Sequence, residues 1–266
     1  MQKIEIQNRK GQKIVGLLNL PEGVTRGTAV IQHGYGGLKS QAHILKMEQA
    51  FHDNGFVTFN FDTTNSFGES DGTYWEARLG LHAEDLEDVV KWVKQQEWFV
   101  KPLALTGHSM GGYAVARYAE HYPEEVDILV PVAPVVSGEL SWETHQELEP
   151  EAFRIFQEKG YKESVSQTTG IVKKSPWAEM EERLDHDLLP LAKNLTMPTL
   201  LVVGSQDESC RPQDIKLLYD ALPISTKKNY VEIEGAPHTY RTEEHLQSLY
   251  DIINDWLKEV VFNNAQ

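Results

Sequence analysis

The chain has 266 residues, a length suited to one large α/β domain or two small ones, and 40% of them are hydrophobic, with six Trp and nine Phe to fill a core. Its formal net charge of −15 repels phosphate backbones and anionic membrane surfaces, which argues against a nucleic-acid partner. One cysteine, Cys210, rules out an intrachain disulfide, and no run reaches the roughly 18 apolar residues of a membrane span. The opening Met1-Gln2-Lys3-Ile4-Glu5-Ile6 has no signal-peptide core, so the expectation is a cytoplasmic protein, a monomer or homodimer.

Two short alternating runs open the chain, Lys3 to Gln7 and Lys13 to Leu20, and Gly11 between them predicts a hairpin. Thr28 to Gln32 reads as a buried strand running into the loop His33-Gly34-Tyr35-Gly36-Gly37. A helix is expected over about Ser40 to Asp53, closed by Asn54-Gly55, then a strand over Phe56 to Phe61. Asp62 to Trp75 is polar and reads as a loop. Leu79 to Gln96 places Leu86, Val89, Val90 and Val93 at helical spacing. A short strand at Leu103 to Thr106, a helix at Tyr113 to His121 and a strand at Asp127 to Val132 follow. From about Val135 to Leu189 the rhythm breaks into a Glu-rich stretch with helical pieces and no clear strand. Alternation returns with a strand at Thr199 to Val203, a helix near Gln213 to Ala221, a strand at Asn229 to Ile233 and a last helix from Glu243 to about Val261. Strands alternating with helices imply parallel pairing with right-handed crossovers.

Between the strand at Leu103 and the helix at Tyr113 lies Gly107-His108-Ser109-Met110-Gly111-Gly112. A Gly-x-Ser-x-Gly in that context is a nucleophile elbow, in which glycines permit a turn that stands the Ser109 hydroxyl clear of the strand end. A serine hydroxyl needs a base to take its proton, usually a histidine held by a carboxylate. On such a sheet the order is serine, acid, histidine, with the last two in loops after late strands. Asp207 follows the strand ending at Val203, and His238 follows the strand ending at Ile233. Asp207 also fits an ordinary turn, and the neighbouring Glu208 competes for the acid role. A tetrahedral oxyanion needs preorganised N–H donors. The amide of Met110, next to the serine, and the amide of Tyr35, in the early glycine loop, are the candidates.

These motifs resemble the α/β-hydrolase superfamily, and within it the small carboxylesterases and feruloyl (cinnamoyl) esterases with a short cap. The resemblance spans nearly the whole chain and rests on the Gly34 loop, Gly68-Glu69-Ser70-Asp71-Gly72, the elbow, Asp207 and Gly235-Ala236-Pro237-His238. It implies one domain over 1–266, a mostly parallel, twisted eight-stranded sheet with helices on both faces, and an inserted helical cap over 135–189. Relatives often carry Asp-x-x-Gly-x-Gly-x-Ser after the fourth strand. Here Asp62 to Ser70 is one residue longer and lacks the first glycine, so this loop near the pocket is expected to differ in shape.

The expected reaction is hydrolysis of a small-molecule carboxylic ester through an acyl-enzyme, with no metal and no cofactor. Peptidase or amidase action, thioesterase or monoacylglycerol lipase action, and a non-catalytic receptor on the same fold remain open, because fold does not fix substrate. His82-Ala83-Glu84-Asp85 reads as a solvated helix face and Cys210 as structural. The Glu excess of the 135–189 segment weakly disfavours multiply anionic substrates.

Overall fold

The computed structural model describes residues 1–165 and 170–262. A hairpin of β1 (Gln2–Gln7) and β2 (Lys13–Asn19) leads to β3 (Gly27–Gln32), α1 (Ala42–Asp53), β4 (Phe56–Asp62), α2 (Leu79–Val93), β5 (Leu103–His108), α3 (Met110–His121) and β6 (Ile128–Val132). Next come α4 (Gly138–Leu148), α5 (Pro150–Lys159), β7 (Tyr161–Val165), β8 (Val172–Pro176) and α6 (Trp177–Arg183). The chain then continues through β9 (Thr199–Gly204), α7 (Pro212–Ala221), β10 (Lys228–Ile233) and α8 (Glu243–Leu257). The eight-stranded sheet runs β1-β2-β4-β3-β5-β6-β9-β10. β2 is antiparallel to both of its neighbours, and the remaining pairs are parallel.

The central strands are covered on both faces, which is why they read as continuous apolar runs. Alternate side chains enter opposite layers. Val30, Phe59 and Leu105 pack with Leu86 and Val89 of α2 and Val115 of α3. Ala29, Ile31 and Val202 pack on the other face with Met47 and Phe51 of α1 and Leu249 and Ile253 of α8. Each of these fully buried Val, Leu, Ile, Phe and Met side chains stabilises the fold by roughly 1.5–3 kcal/mol. Among the described residues, no helix is long and apolar enough to cross a membrane.

The segment between β6 and β9 departs from the expectation of helical pieces alone. β7 and β8 form a two-stranded antiparallel hairpin outside the main sheet. The expectation failed because the period-two signal is short and broken: Lys162, Ser164, Lys173 and Ser175 occupy one side, and the other mixes Tyr161, Val165, Val172 and Pro176 with the Glu163–Lys174 pair. The helices of the segment have their own small core of Phe153, Phe156, Trp177 and Met180. Glu182, near the end of α6, ties the segment to the body: its carboxylate accepts the Leu79 and Gly80 amides at 3.0 and 2.9 Å. Those amides are free donors at the start of α2, where a carboxylate is favoured.

Candidate active site

β5 delivers Ser109 to the carboxyl edge of the sheet, and α3 begins at the next residue. The turn is sharp enough to put Ser109 at φ 58 and ψ −118, a conformation that costs a non-glycine residue energy and concentrates at functional sites. A Cβ at Gly107 would lie 2.4 Å from the Gly111 carbonyl oxygen, so no larger residue allows the helix to fold back this closely on the strand. Gly34, after β3, has the same kind of constraint: a Cβ there would lie 2.8 Å from the Ser109 Cβ. Its loop is pinned from behind by the buried His33. Nδ1–H donates to the Gly34 carbonyl at 2.7 Å, and Nε2 accepts the Thr63 amide at 3.0 Å. Burial pushes the His33 pKa down, which suits an imidazole that must accept at Nε2.

His238 follows β10, and its Nδ1–H donates to Asp207 Oδ2 at 2.7 Å. Asp207 is 3% exposed, and its other oxygen accepts the Ser209 and Cys210 amides at 2.9 and 2.8 Å. The bonding leaves His238 Nε2 as the acceptor nitrogen. Glu208, the competing acid, points to solvent. Ser109, Met110, Tyr35 and His238 all line one cavity of about 440 Å³, a volume suited to a small ligand. Neither the Tyr35 nor the Met110 amide has an acceptor among the described residues. Ser109 and His238 share that wall without a hydrogen bond between them; Cys210 also lines it, and burial holds its thiol well above its ordinary range.

Behind His238 stands a stack of imidazoles absent from the sequence reading. The His108 ring lies 4.5 Å from that of His238 and 4.4 Å from that of His43. His108 Nε2–H donates to the His238 carbonyl at 2.7 Å. Burial lowers the His43 pKa to about 3 and that of His108 well below its usual range, so the stack adds no charge beside His238. His108 was visible as the variable position of the elbow, but nothing in the sequence linked it to residue 238. His82, read as solvent-facing, is 1% exposed and lies beside the His33 ring at 6.1 Å. It is buried because α2 turns that side toward His33 and the Gly34 loop.

Of the loop that follows β4, expected near the pocket, Tyr74 lines the cavity. Asp62 is an internal anchor, accepting the Lys39 ammonium at 2.5 Å and the Lys39 and Glu69 amides at 2.8 and 3.0 Å. Moreover, the Glu excess of the 135–189 segment does not reach the cavity. That segment contributes Lys162, Lys173 and Arg183 to the lining and no carboxylate. Among the described residues, no group of His, Cys, Asp and Glu could hold a metal ion.

The sequence profile of the family described as serine aminopeptidase, S33, matches residues 23–174. An uncharacterized 31.7 kDa protein from the traX-finO intergenic region of Escherichia coli is 24% identical over 90% of this chain and 93% of its own. A monoacylglycerol lipase of Mycolicibacterium smegmatis is 30% identical over a shorter stretch, 48% of this chain and 45% of the lipase. Among solved structures, ferulic-acid-bound Est1E from Butyrivibrio proteoclasticus superposes with a TM-score of 0.79 at 20% identity, covering 97% of this chain and 99% of Est1E.

Proposed function

The chain belongs to the serine aminopeptidase S33 family of α/β hydrolases, and from that premise we propose that it cleaves carboxylic esters through an acyl-enzyme on Ser109. The observation that carries the proposal is the 2.7 Å bond from His238 Nδ1 to the buried Asp207, in a cavity shared with the strained Ser109. Rotation of the Ser109 hydroxyl toward His238 Nε2 starts the reaction; such bonds are often open in empty sites. Oγ bonds to the ester carbon as its proton passes to His238. The oxyanion accepts the Tyr35 and Met110 amides, which no protein acceptor occupies among the described residues. The alcohol leaves with the proton from His238. Water then gives a proton to His238 as it attacks the acyl carbon; the acid leaves as His238 returns that proton to Ser109 Oγ, while Asp207 holds the imidazole and stabilises its charged form. In this reading the 135–189 segment is the cap of a single domain.

The lining favours an ester over an aminopeptidase substrate. An aminopeptidase must hold a free ammonium group, and no carboxylate faces the cavity among the described residues. The names of two similar proteins, a monoacylglycerol lipase and a ferulic-acid-binding Est1E, point the same way. Incubation with p-nitrophenyl butyrate and with alanine p-nitroanilide, beside Ser109→Ala, tests the choice. Turnover of the ester alone, lost in the variant, is expected; turnover of the anilide alone moves the protein to aminopeptidase.

A further inference from the structure

The β7–β8 hairpin places four like-minded side chains on one face. Lys162 is opposite Ser175 and Ser164 is opposite Lys173, and side chains directly opposite in an antiparallel pair share a side. All four line the Ser109 cavity. The charged residues of the alternate register turn elsewhere: Lys174 lies over the Tyr161 ring at 3.9 Å and the Trp75 ring at 5.6 Å, and Glu163 pairs opposite it. Arg183 also lines the cavity, but its guanidinium is already bound to Glu179 and, at 2.9 Å, to Ser141 Oγ. Lys162 and Lys173 make no ion pair with a carboxylate among the described residues; their recorded neighbours are the Phe156 and Phe67 rings, at 5.0 and 5.9 Å.

Two partly buried ammonium groups without an ion-pair partner on one cavity wall favour an anion beside them. Burial lowers the pKa of both; at Lys162 the nearby Arg183 lowers it further, while Glu179 and Glu149 partly offset this. His145, on the same wall, is pushed down to about 4 by burial and then by Arg183 and Lys162. This arrangement is set within a chain of net charge −15. At physiological salt the distant carboxylates are screened beyond about 8 Å, so the local lysines govern what the cavity attracts.

We infer that the substrate carries an anionic group, a carboxylate or a phosphate, held by Lys162 and Lys173 with Ser164 and Ser175 while the ester carbon sits at Ser109. The inference rests on the ester-hydrolase reading for the bond that breaks, and it assigns the cap hairpin as the element that selects substrate.

The test compares kcat/KM for matched esters: 4-butyryloxybenzoate against its methyl ester, and mono(4-nitrophenyl) adipate against its methyl ester. The two pairs put the charge on the alcohol and on the acyl side. One anionic ester should be preferred by at least about tenfold, and Lys162→Gln and Lys173→Gln should each lower that ratio by about tenfold, as expected for a charged hydrogen bond. Lys174→Gln, on the other face of the hairpin, should leave the ratio alone. A further substrate, 4-butyryloxyphenyl phosphate, separates the sources: preference for it over the carboxylates assigns phosphate. Equal or better turnover of both methyl esters than of every anionic ester overturns the inference, as does a ratio unmoved by either lysine variant. Calorimetric titration of Ser109→Ala with the same compounds reads the contact without turnover. Anion-selective binding there, weakened by Lys162→Gln, supports the inference even if the esterase reading fails, and binding without anion selectivity overturns it.

Discussion

His108 Nε2 donates a 2.7 Å hydrogen bond to the main-chain carbonyl of His238, so the residue before Ser109 holds the loop that carries the proposed base. The bond spans two strand ends, those of β5 and β10, that are separated in the sheet by β6 and β9. It fixes the His238 backbone while Asp207 fixes its ring. Replacement of His108 by Leu removes the donor and leaves a buried carbonyl unpaired, a loss of about 1–3 kcal/mol in the positioning of the base. The expected result is a kcat lowered by roughly tenfold with KM little changed, recovered in part by His108→Gln, which retains a donor. A KM effect with unchanged kcat would contradict the positioning role.

Asp207 and Glu208 are adjacent in sequence but not in environment. Asp207→Asn is expected to lower kcat by about 10³–10⁴-fold, because the amide favours the wrong imidazole tautomer. Glu208→Gln should stay within about twofold, as its side chain faces solvent. Steady-state kinetics on p-nitrophenyl butyrate decide this, and the reverse order of effects would reassign the acid.

A Cβ at position 34 would approach the Ser109 Cβ to 2.8 Å. Gly34→Ala should therefore displace the nucleophile or the Tyr35 amide, costing about 10²-fold in kcat, the scale of one lost oxyanion donor. A thermal melt run alongside separates this from unfolding: the folded transition should survive while turnover falls.

Glu120 of α3 gives a stability prediction with a definite sign. It is 2% exposed, its Oε1 has no partner among the described residues, and burial followed by the nearby Asp187 raises its pKa from 4.5 to about 8. Between those two values the unfolded chain binds fewer protons than the folded one, so this carboxyl lowers stability as pH rises from about 4.5 to about 8. Glu120→Gln removes the titration. Relative to the parent, the variant should gain about 3 kcal/mol between pH 5 and pH 8 in urea melts. An equal gap at both pH values would show that Glu120 ionises normally in the folded protein.

What was legible in the sequence followed from steric demand and chain order. The elbow at Gly107 to Gly112 could be read because only glycine fits where a Cβ would strike the neighbouring carbonyl. The candidate acid and base followed from their places after two late strands. The choice between Asp207 and Glu208 needed the fold, since only the β9–α7 turn decides which carboxylate is buried. The β7–β8 hairpin was hidden because its inner face is Lys-x-Ser in both arms, and polar alternation over a cavity resembles a solvated loop. Its meaning was hidden again by summing charge over 135–189, which averages the outer glutamates with the inner lysines. His108 stayed silent because its partner is a main-chain carbonyl, which leaves no trace in residue identity.

The central claim is that Ser109 carries the acyl group. Mass spectrometry of the protein quenched during turnover of p-nitrophenyl butyrate, followed by peptide mapping, tests it most directly. The account predicts a butyryl adduct on the peptide containing Ser109, accumulating in the Asp207→Asn protein if deacylation slows more than acylation, and absent from Ser109→Ala, which also loses turnover. Undiminished turnover in Ser109→Ala, or an adduct on another residue such as Cys210, would contradict it.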